Sequence, residues 1–332
     1  MITLRYITRK IIYMAITLYI AITFNFLLPR LIPGNPAVTI LLSRYKYLPP
    51  GKVKLLESEF HLTGTLWQQY VGYLSGLARG NLGVSYYFYP ESVTQIIMTH
   101  LPWTLFLLGS ATIISVVIGV AYGSFIGWRS GSTTESFLSS VAVTLTSVPY
   151  FWLGLIFQLV FAVLIVVNGF HLFPVAQAYS YNVTPGANLP FLESVAWHAA
   201  LPLITLVITS FPGFALIMRN TMATTLNEDH ILMAHAKGLT QRRIMKRYAS
   251  RNAILPVATS IALSFAYIVG GAFLVEVIFS YPGIGYTLYN AVTVGDYPLM
   301  QGIFLIITTT VILANFFVDI MYAFLDPRVS LR

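Results

Sequence analysis

Charge and cysteine are both scarce in this chain of 332 residues. Charged residues make up 9% of it and hydrophobic residues 57%, whereas a soluble domain carries roughly 25% charged residues. A water-facing surface needs more polar cover than this, so the composition excludes a soluble globular protein and indicates lipid as the surrounding medium. The absence of cysteine excludes disulfide bonds, iron–sulfur clusters and thiolate zinc sites.

The motifs of ATP hydrolysis and of common hydrolases are also missing. The chain has no G-x-x-x-x-G-K-[ST] run, because Gly51-Lys52 lacks the glycine spacing and the following Ser or Thr. It has no H-E-x-x-H or G-x-S-x-G element, and the spacing of His230 and His235 does not suit a metal site on one helix face. We therefore expect no catalytic residue, no metal site and no cofactor in this chain.

What the chain does contain is apolar stretches long enough to cross a bilayer, which takes about 20 residues in a helix. Six stretches meet that length, at 11–28, 103–128, 136–167, 199–218, 253–275 and 298–318. The first has no A-x-A cleavage site after it and is predicted to be a retained span. The third is long enough to be tilted or broken near Pro149. The sequence predicts an all-α polytopic membrane protein with six transmembrane helices.

The basic residues predict the orientation of these spans. If the N-terminus is cytoplasmic, the inside segments hold 13 of the 19 Lys and Arg. The other six all lie between spans one and two, in a loop long enough to escape the positive-inside rule. The two shorter outside loops contain neither Lys nor Arg. We expect both termini in the cytoplasm, and the net charge of +8 then marks the inner face rather than a nucleic-acid partner.

The same reasoning divides the chain into four parts. Residues 1–29 form the N-terminus and first span, 30–101 an extracytoplasmic element, 102–325 the transmembrane core, and 326–332 a cytoplasmic tail. Within the extracytoplasmic element, 52–60 and 67–77 are predicted to be short helices. Asn182-Val183-Thr184, in the second outside loop, matches a glycosylation sequon, and a chance match is at least as common.

The inside loop at 219–252 is the most polar part of the chain. Glu228-Asp229 begin a short apolar run, Asn227 is a candidate N-cap, and Gly238 is a candidate helix stop. We predict a short helix, a glycine turn, and a second, basic helix that ends before Pro256. The alternative is a solvated loop that only follows the positive-inside rule.

At these residues the sequence resembles the cytoplasmic coupling loop of ABC importer permeases, most closely the oligopeptide/dipeptide branch. The resemblance is carried by the run from Glu228 to Leu239 and by Arg251-Asn252-Ala253-Ile254-Leu255-Pro256. It continues along the chain in seven further motifs, which run from Arg30 to Pro36, Gly80 to Gly83, Ser147 to Gly154, His198 to Pro202, Phe279 to Gly285, Asp296 to Pro298 and Asp326 to Arg328. It covers essentially the whole chain.

The resemblance implies a type I ABC importer permease fold, the role of the first of two permease subunits, and a set of partners. These would be a second, homologous permease, two ATPase subunits that carry ATP and Mg²⁺, and an extracytoplasmic substrate-binding protein. It also implies that the inside loop couples to the ATPases through seven residues: Glu228, Asp229, Ala234, Ala236, Lys237, Gly238 and Leu239. One departure is that Leu232, Met233 and Ala234 stand where the general loop has Glu-Ala-Ala, which weakens any role for a glutamate salt bridge.

Two further groups of residues are candidates for the pathway and for helix packing. Glu276, near the outer end of span five, either lines an outer gate or pairs structurally with a neighbour. Pro149, Tyr150 and Trp152 are gate candidates because proline breaks a span and aromatic rings can line a pathway. Gly119, Gly123 and Gly127 repeat every four residues on one stripe, which predicts close helix packing.

The cargo stays open at this stage. The family resemblance favours di- and oligopeptides, but the same branch includes oligosaccharide and nickel importers. The spans hold few charges and many aromatic residues, and this composition leans toward sugar. A self-sufficient channel or an ion-coupled carrier is the alternative from another class.

Overall fold

The computed structural model describes residues 4–31, 58, 64–167, 170–268 and 273–325. The predicted helix at 52–60, apart from residue 58, and the predicted cytoplasmic tail lie outside these residues. Helices are the main regular structure of the described residues, and turns and loops connect them. One antiparallel hairpin pairs β1 (Val166–Val167) with β2 (Phe170–His171), and an isolated bridge joins Val84 to Ser92.

Twelve α-helices are present in the described ranges, and two of them continue into π-helical turns. They are α1 (Leu4–Arg30), α2 (Leu66–Ala78), α3 (Val93–Trp128), α4 (Thr133–Thr146), α5 (Tyr150–Phe157), α6 (Leu189–Thr225), α7 (Asp229–Ala236), α8 (Gln241–Arg243), α9 (Ser250–Tyr267), α10 (Phe273–Ile278), α11 (Ile284–Val294) and α12 (Tyr297–Leu325). The π-helical turns, Gln158–Leu164 and Ile244–Ala249, follow α5 and α8.

The described helices confirm a helical protein with several apolar spans. Four helices are long and apolar enough to cross a membrane, at Ile7–Arg30, Val93–Trp128, Leu189–Thr225 and Tyr297–Phe317. The helix pair Thr133–Thr146 and Tyr150–Leu164, bent by 88° at its break, is a fifth candidate if the two helices form one span; a pair bent in this way is either a broken span or a re-entrant loop. This break lies where the sequence places it, beside Pro149, which is the N-cap of α5. The predicted span at 253–275 includes residues outside the described part, so the count of six stays a prediction.

Two helices are much longer than the spans predicted within them. α3 begins at Val93 and α6 at Leu189, each ten residues before the predicted start of its apolar stretch. Hydropathy detects only the part of a helix that can lie in hydrocarbon, whereas a helix can continue into water wherever its backbone bonds are made. Asn188 begins α6 in this way, since its Oδ1 accepts from the Phe191 amide at 2.9 Å.

The chain forms two compact units, of which the first comprises Met1–Thr104, Val269–Phe273 and Pro282–Arg332. Its core packs the start of α3 against α11 and α12, through Val93, Ile97, Leu288 and Leu299 among others. Elsewhere in this unit α1 packs on α12, and Asn25 and Gln301 each donate a side-chain amide to the other's backbone carbonyl.

The second unit comprises Leu105–Ile268 and Leu274–Tyr281. In this unit the glycine stripe of α3 lies directly against α6. A Cβ atom at Gly119 would approach the Phe211 carbonyl oxygen at 2.7 Å, and one at Gly123 would approach the Ala215 oxygen at 2.3 Å. At Gly127 a Cβ would lie 2.5 Å from the Met222 Cβ. The absent side chains therefore allow the two backbones to approach closely.

Candidate functional site

The inside loop folds as a short helix followed by a glycine turn. α6 ends at Thr225, and α7 occupies Asp229–Ala236. Gly238 follows with φ +68°, and its amide donates to the His235 carbonyl at 2.9 Å. A left-handed residue at this position ends a helix and turns the chain, and glycine adopts that conformation without a Cβ clash.

The start of α7 differs from the sequence prediction. Its N-cap is Glu228, whose side chain makes no capping hydrogen bond, so the prediction of Asn227 as N-cap is wrong. Asn227 instead donates its Nδ2 to the Ala223 carbonyl at 3.1 Å. The physical reason is competition, because the last carbonyls of α6 lack helical partners and accept the nearest amide donor.

The basic segment after Gly238 also runs further than predicted. α8 passes through a π-helical turn into α9, which spans Ser250–Tyr267 and contains Pro256. The prediction that this helix ends before Pro256 is therefore wrong. Proline removes one backbone hydrogen bond and can bend a helix, but neighbouring packing can hold the helix together. Ala249, Ala253 and Val257 supply that packing in the core of the second unit.

One face of α7 is buried in the chain's own core. Ile231 and Ala234 lie three residues apart and pack in a cluster with Met218 and Met222 of α6 and with Ile244. Ala234, which the resemblance assigns to the contact with an ATPase, therefore points inward. Residues at i and i+3 share a helix face, so the burial of Ile231 carries Ala234 with it.

The opposite face of α7 is exposed and contains large apolar side chains. Leu232 is 61% and Met233 59% exposed. Of the other residues assigned by resemblance, Glu228, Asp229, Ala236, Lys237 and Gly238 are exposed, and Leu239 is half-buried against the cluster. Exposed leucine and methionine in adjacent positions form an apolar surface that a partner can cover.

His230 and Asn252 fasten α7 to α9, a role that the sequence did not indicate. The His230 Nδ1 lies 3.1 Å from Glu228 Oε2, and its Nε2 lies 3.0 Å from Asn252 Nδ2. With the proton on Nδ1, the imidazole donates to Glu228 and accepts from Asn252. The only sequence signal was the presence of polar residues at both positions, and their pairing depends on the fold.

The gate candidates occupy different environments. Pro149 and Trp152 are exposed and Tyr150 is half-buried. Glu276 is fully buried in α10. Burial of Glu276 favours the structural reading over a residue that lines a water-filled gate.

Comparison with known proteins decides the family. The profile described as "Binding-protein-dependent transport system inner membrane component" matches residues 118–331. The oligopeptide transport system permease protein OppB of Haemophilus influenzae is 31% identical over 326 residues, covering 98% of this chain and 99% of that protein. The di/tripeptide transport system permease protein DppB of Pseudomonas aeruginosa is 33% identical over 340 residues, covering 98% of both. The chain belongs to this family.

Membership confirms the resemblance read from the sequence. The chain is a multi-pass inner-membrane permease component of a binding-protein-dependent ABC transporter, and such a component is distinct from the ATPase. A third similar protein, the dipeptide transport system permease protein DppB of Alkalihalophilus pseudofirmus, is 31% identical over 343 residues, covering 98% of this chain and 99% of that protein. The similarity therefore includes the segment before residue 118, which the family profile leaves out.

Proposed function

We propose that this permease forms half of the translocation pathway of an ABC importer for di- and oligopeptides. The observation that carries the proposal is the end-to-end similarity to proteins named as oligopeptide, dipeptide and di/tripeptide permeases. A permease of this family works with other subunits of its transport system. The specific set proposed here is a second homologous permease, two ATPase subunits and an extracytoplasmic substrate-binding protein.

We propose α7 as the coupling helix that docks on an ATPase subunit. Its exposed face offers Leu232 and Met233 as apolar anchors, with Glu228, Asp229 and Lys237 at its two ends. Its other face is packed on the end of α6, so displacement of α7 also displaces that end of α6, a helix long and apolar enough to span the membrane. ATP binding closes the ATPases, moves α7 and turns the pathway outward, and hydrolysis resets it.

The proposed topology has six spans with both termini in the cytoplasm. The distribution of Lys and Arg supports this orientation, because α7 and the basic segment after it then lie inside. Residues 30–101 and the segment before α6 then lie outside, where a substrate-binding protein can reach them.

Ligand binding by the cognate substrate-binding protein tests the cargo. We expect a library of di- to pentapeptides to bind in calorimetry, with no heat from maltotriose or from nickel ions. Binding of the oligosaccharide in place of peptides would overturn the cargo while leaving the permease assignment intact. An oligosaccharide cargo would account for the many aromatic residues in the spans.

A further inference from the structure

A part-buried ion pair connects α4, the first helix of the bent pair α4 and α5, to α6, the helix that precedes α7. Glu135, in the first turn of α4, has a side chain that is 8% exposed, and the side chain of Arg219 in α6 is 31% exposed. The Arg219 Nε donates to Glu135 Oε1 at 2.7 Å, and its Nη2 donates to the same oxygen. Ser139 Oγ donates to this oxygen as well, at 3.2 Å. The two charged residues lie 84 positions apart in the chain.

α3, α4 and α6 are in contact around this ion pair. The backbone of Arg219 is in close contact with α3, because a Cβ atom at Gly127 would lie 3.0 Å from the Arg219 carbonyl oxygen. Glu135 is held at the start of α4 by its amide, which donates to Ser132 Oγ at 3.1 Å. A carboxylate in the first turn of a helix also interacts favourably with the helix dipole.

The position of Arg219 links this pair to the coupling helix. Arg219 is adjacent to Met218, which is fully buried in the cluster that also contains Met222 of α6 and Ile231 of α7. The end of α6 and the inner face of α7 are therefore one packed body, and Arg219 extends from that body to α4. Packed interiors transmit displacement because they are dense and contain few voids.

Stability alone is a poor explanation for an ion pair in which one partner is buried and the other is about a third exposed. Removing the Glu135 carboxylate from water costs free energy, and its attraction to the partly exposed Arg219 is screened by solvent. Well-packed apolar residues often stabilise a protein equally well. An ion pair differs from an apolar contact because its hydrogen bonds set its direction and its length, and here Arg219 Nε and Nη2 both donate to Glu135 Oε1. The best-attested use of such pairs is to specify register or a switch.

We propose that the Glu135–Arg219 pair is a positioning element for coupling. It makes the start of α4 follow the end of α6, so that movement of α7 reaches the broken span of α4 and α5. In this role Glu135 and Arg219 are positioning residues, which act through the helices they join. The inference rests on the proposed function, because α7 is displaced only if it docks on an ATPase subunit that moves when ATP binds.

The first test measures how much ATP the complete complex consumes for each molecule imported. The complex, with its ATPases, second permease and binding protein, is reconstituted in proteoliposomes with radiolabelled trialanine as the probe. We expect Glu135→Gln and Arg219→Gln to raise the ratio of ATP hydrolysed to trialanine imported by roughly two- to thirtyfold, the range that single substitutions in a coupling network produce. Arg219→Lys keeps the charge but loses the forked geometry, and it should fall between these variants and the wild type.

Glu193→Gln is the matched control, because Glu193 is an exposed acidic residue at the other end of α6. It should leave the ratio unchanged. If Glu135→Gln and Arg219→Gln lower hydrolysis and import in parallel, with the ratio preserved, the pair only stabilises the fold and the proposal is wrong. If the wild-type complex imports no trialanine with ATP, the result counts against the proposed function and not against the pair.

The second test needs no cargo and follows the two helices directly. The chain has no cysteine, so Ser140→Cys in α4 and Thr224→Cys in α6 provide two exposed sites for spin labels. In the wild-type complex we expect the distance between the labels to stay the same with and without a non-hydrolysable ATP analogue. In the Glu135→Gln background we expect the analogue to change or broaden that distance. An unchanged distance in both backgrounds would overturn the proposal.

Discussion

At the scale of single residues, buried polar groups mark where this permease specifies its geometry. Asp296, fully buried between α11 and α12, accepts from the amides of Tyr86, Tyr87 and Leu299 at 3.1–3.2 Å and from Ser85 Oγ. Burial raises the pKa of Asp296, and these donors oppose the shift by stabilising the carboxylate. The Asp296 side chain thus accepts a hydrogen bond from the first turn of α12, at Leu299, and also holds the loop at Tyr86 and Tyr87, which lies more than two hundred residues earlier in the chain.

The variant Asp296→Asn tests this arrangement. An amide has one acceptor oxygen instead of two, so its NH₂ group would face the Tyr87 amide, donor against donor. We expect a loss of about 1–3 kcal/mol in the free energy of unfolding, measured by thermal denaturation of the purified permease in detergent. Glu91→Gln is the control because Glu91 is exposed in the same loop. Equal melting temperatures for the two variants would contradict the structural role.

At the scale of helices, the contact between α3 and α6 depends on the absence of side chains. Gly123 is the tightest of the three stripe positions, since its Cβ would meet both the Ala215 oxygen at 2.3 Å and the Met218 Cβ at 2.7 Å. Backbone oxygen cannot move aside as the end of a flexible side chain can. The stripe was visible in the sequence from its spacing, but the helix it faces was not.

The variant Gly123→Val should therefore separate α3 from α6. We expect it to destabilise the permease by about 1–3 kcal/mol, the usual cost of overpacking a well-packed contact. Gly109→Val is a matched control on the same helix, because, apart from its chain neighbours and the nearby backbone of α3 itself, no described atom lies within 4 Å of a Cβ built at Gly109. Thermal unfolding of the two variants checks the prediction. A Gly109→Val variant as unstable as Gly123→Val would indicate a propensity effect instead of a packing effect.

The exposed face of α7 gives a second prediction at this scale. We expect the double substitution Leu232→Arg and Met233→Arg to weaken capture of the ATPase subunits by tagged permease at least about tenfold, because interface anchors typically cost 2 kcal/mol or more when lost. Leu189→Arg is the control, since Leu189 is similarly exposed and lies at the end of α6 that is remote from α7. Pull-down from membranes measures both. Undiminished capture by the double variant would mean that the ATPases dock elsewhere.

At the scale of the whole molecule, the features that depend on lipid were predictable and those that depend on distant contacts were not. The apolar stretches, the break beside Pro149 and the glycine turn at Gly238 are local consequences of composition and backbone conformation. The inward face of Ala234 and the replacement of Asn227 by Glu228 as N-cap depend on where α6 packs. The pair of Glu135 and Arg219 joins residues too far apart in the chain for spacing to indicate contact.

The extreme composition likewise decides the environment of the chain but not its cargo. Scarcity of charge follows from burial in hydrocarbon, where each unpaired charge costs a few kcal/mol or more, whatever substrate passes through the pathway. The aromatic residues fit either a sugar or a peptide route. The similarity to named peptide permeases is what favours peptides.

The most direct test of the central claim is uptake by the reconstituted complex. We predict that radiolabelled trialanine enters proteoliposomes only when the second permease, the ATPases, the binding protein and ATP are all present. Excess unlabelled peptide should abolish this uptake, and excess maltotriose should leave it unchanged. Uptake by this chain alone, driven by an ion gradient in the absence of ATP, would contradict the account.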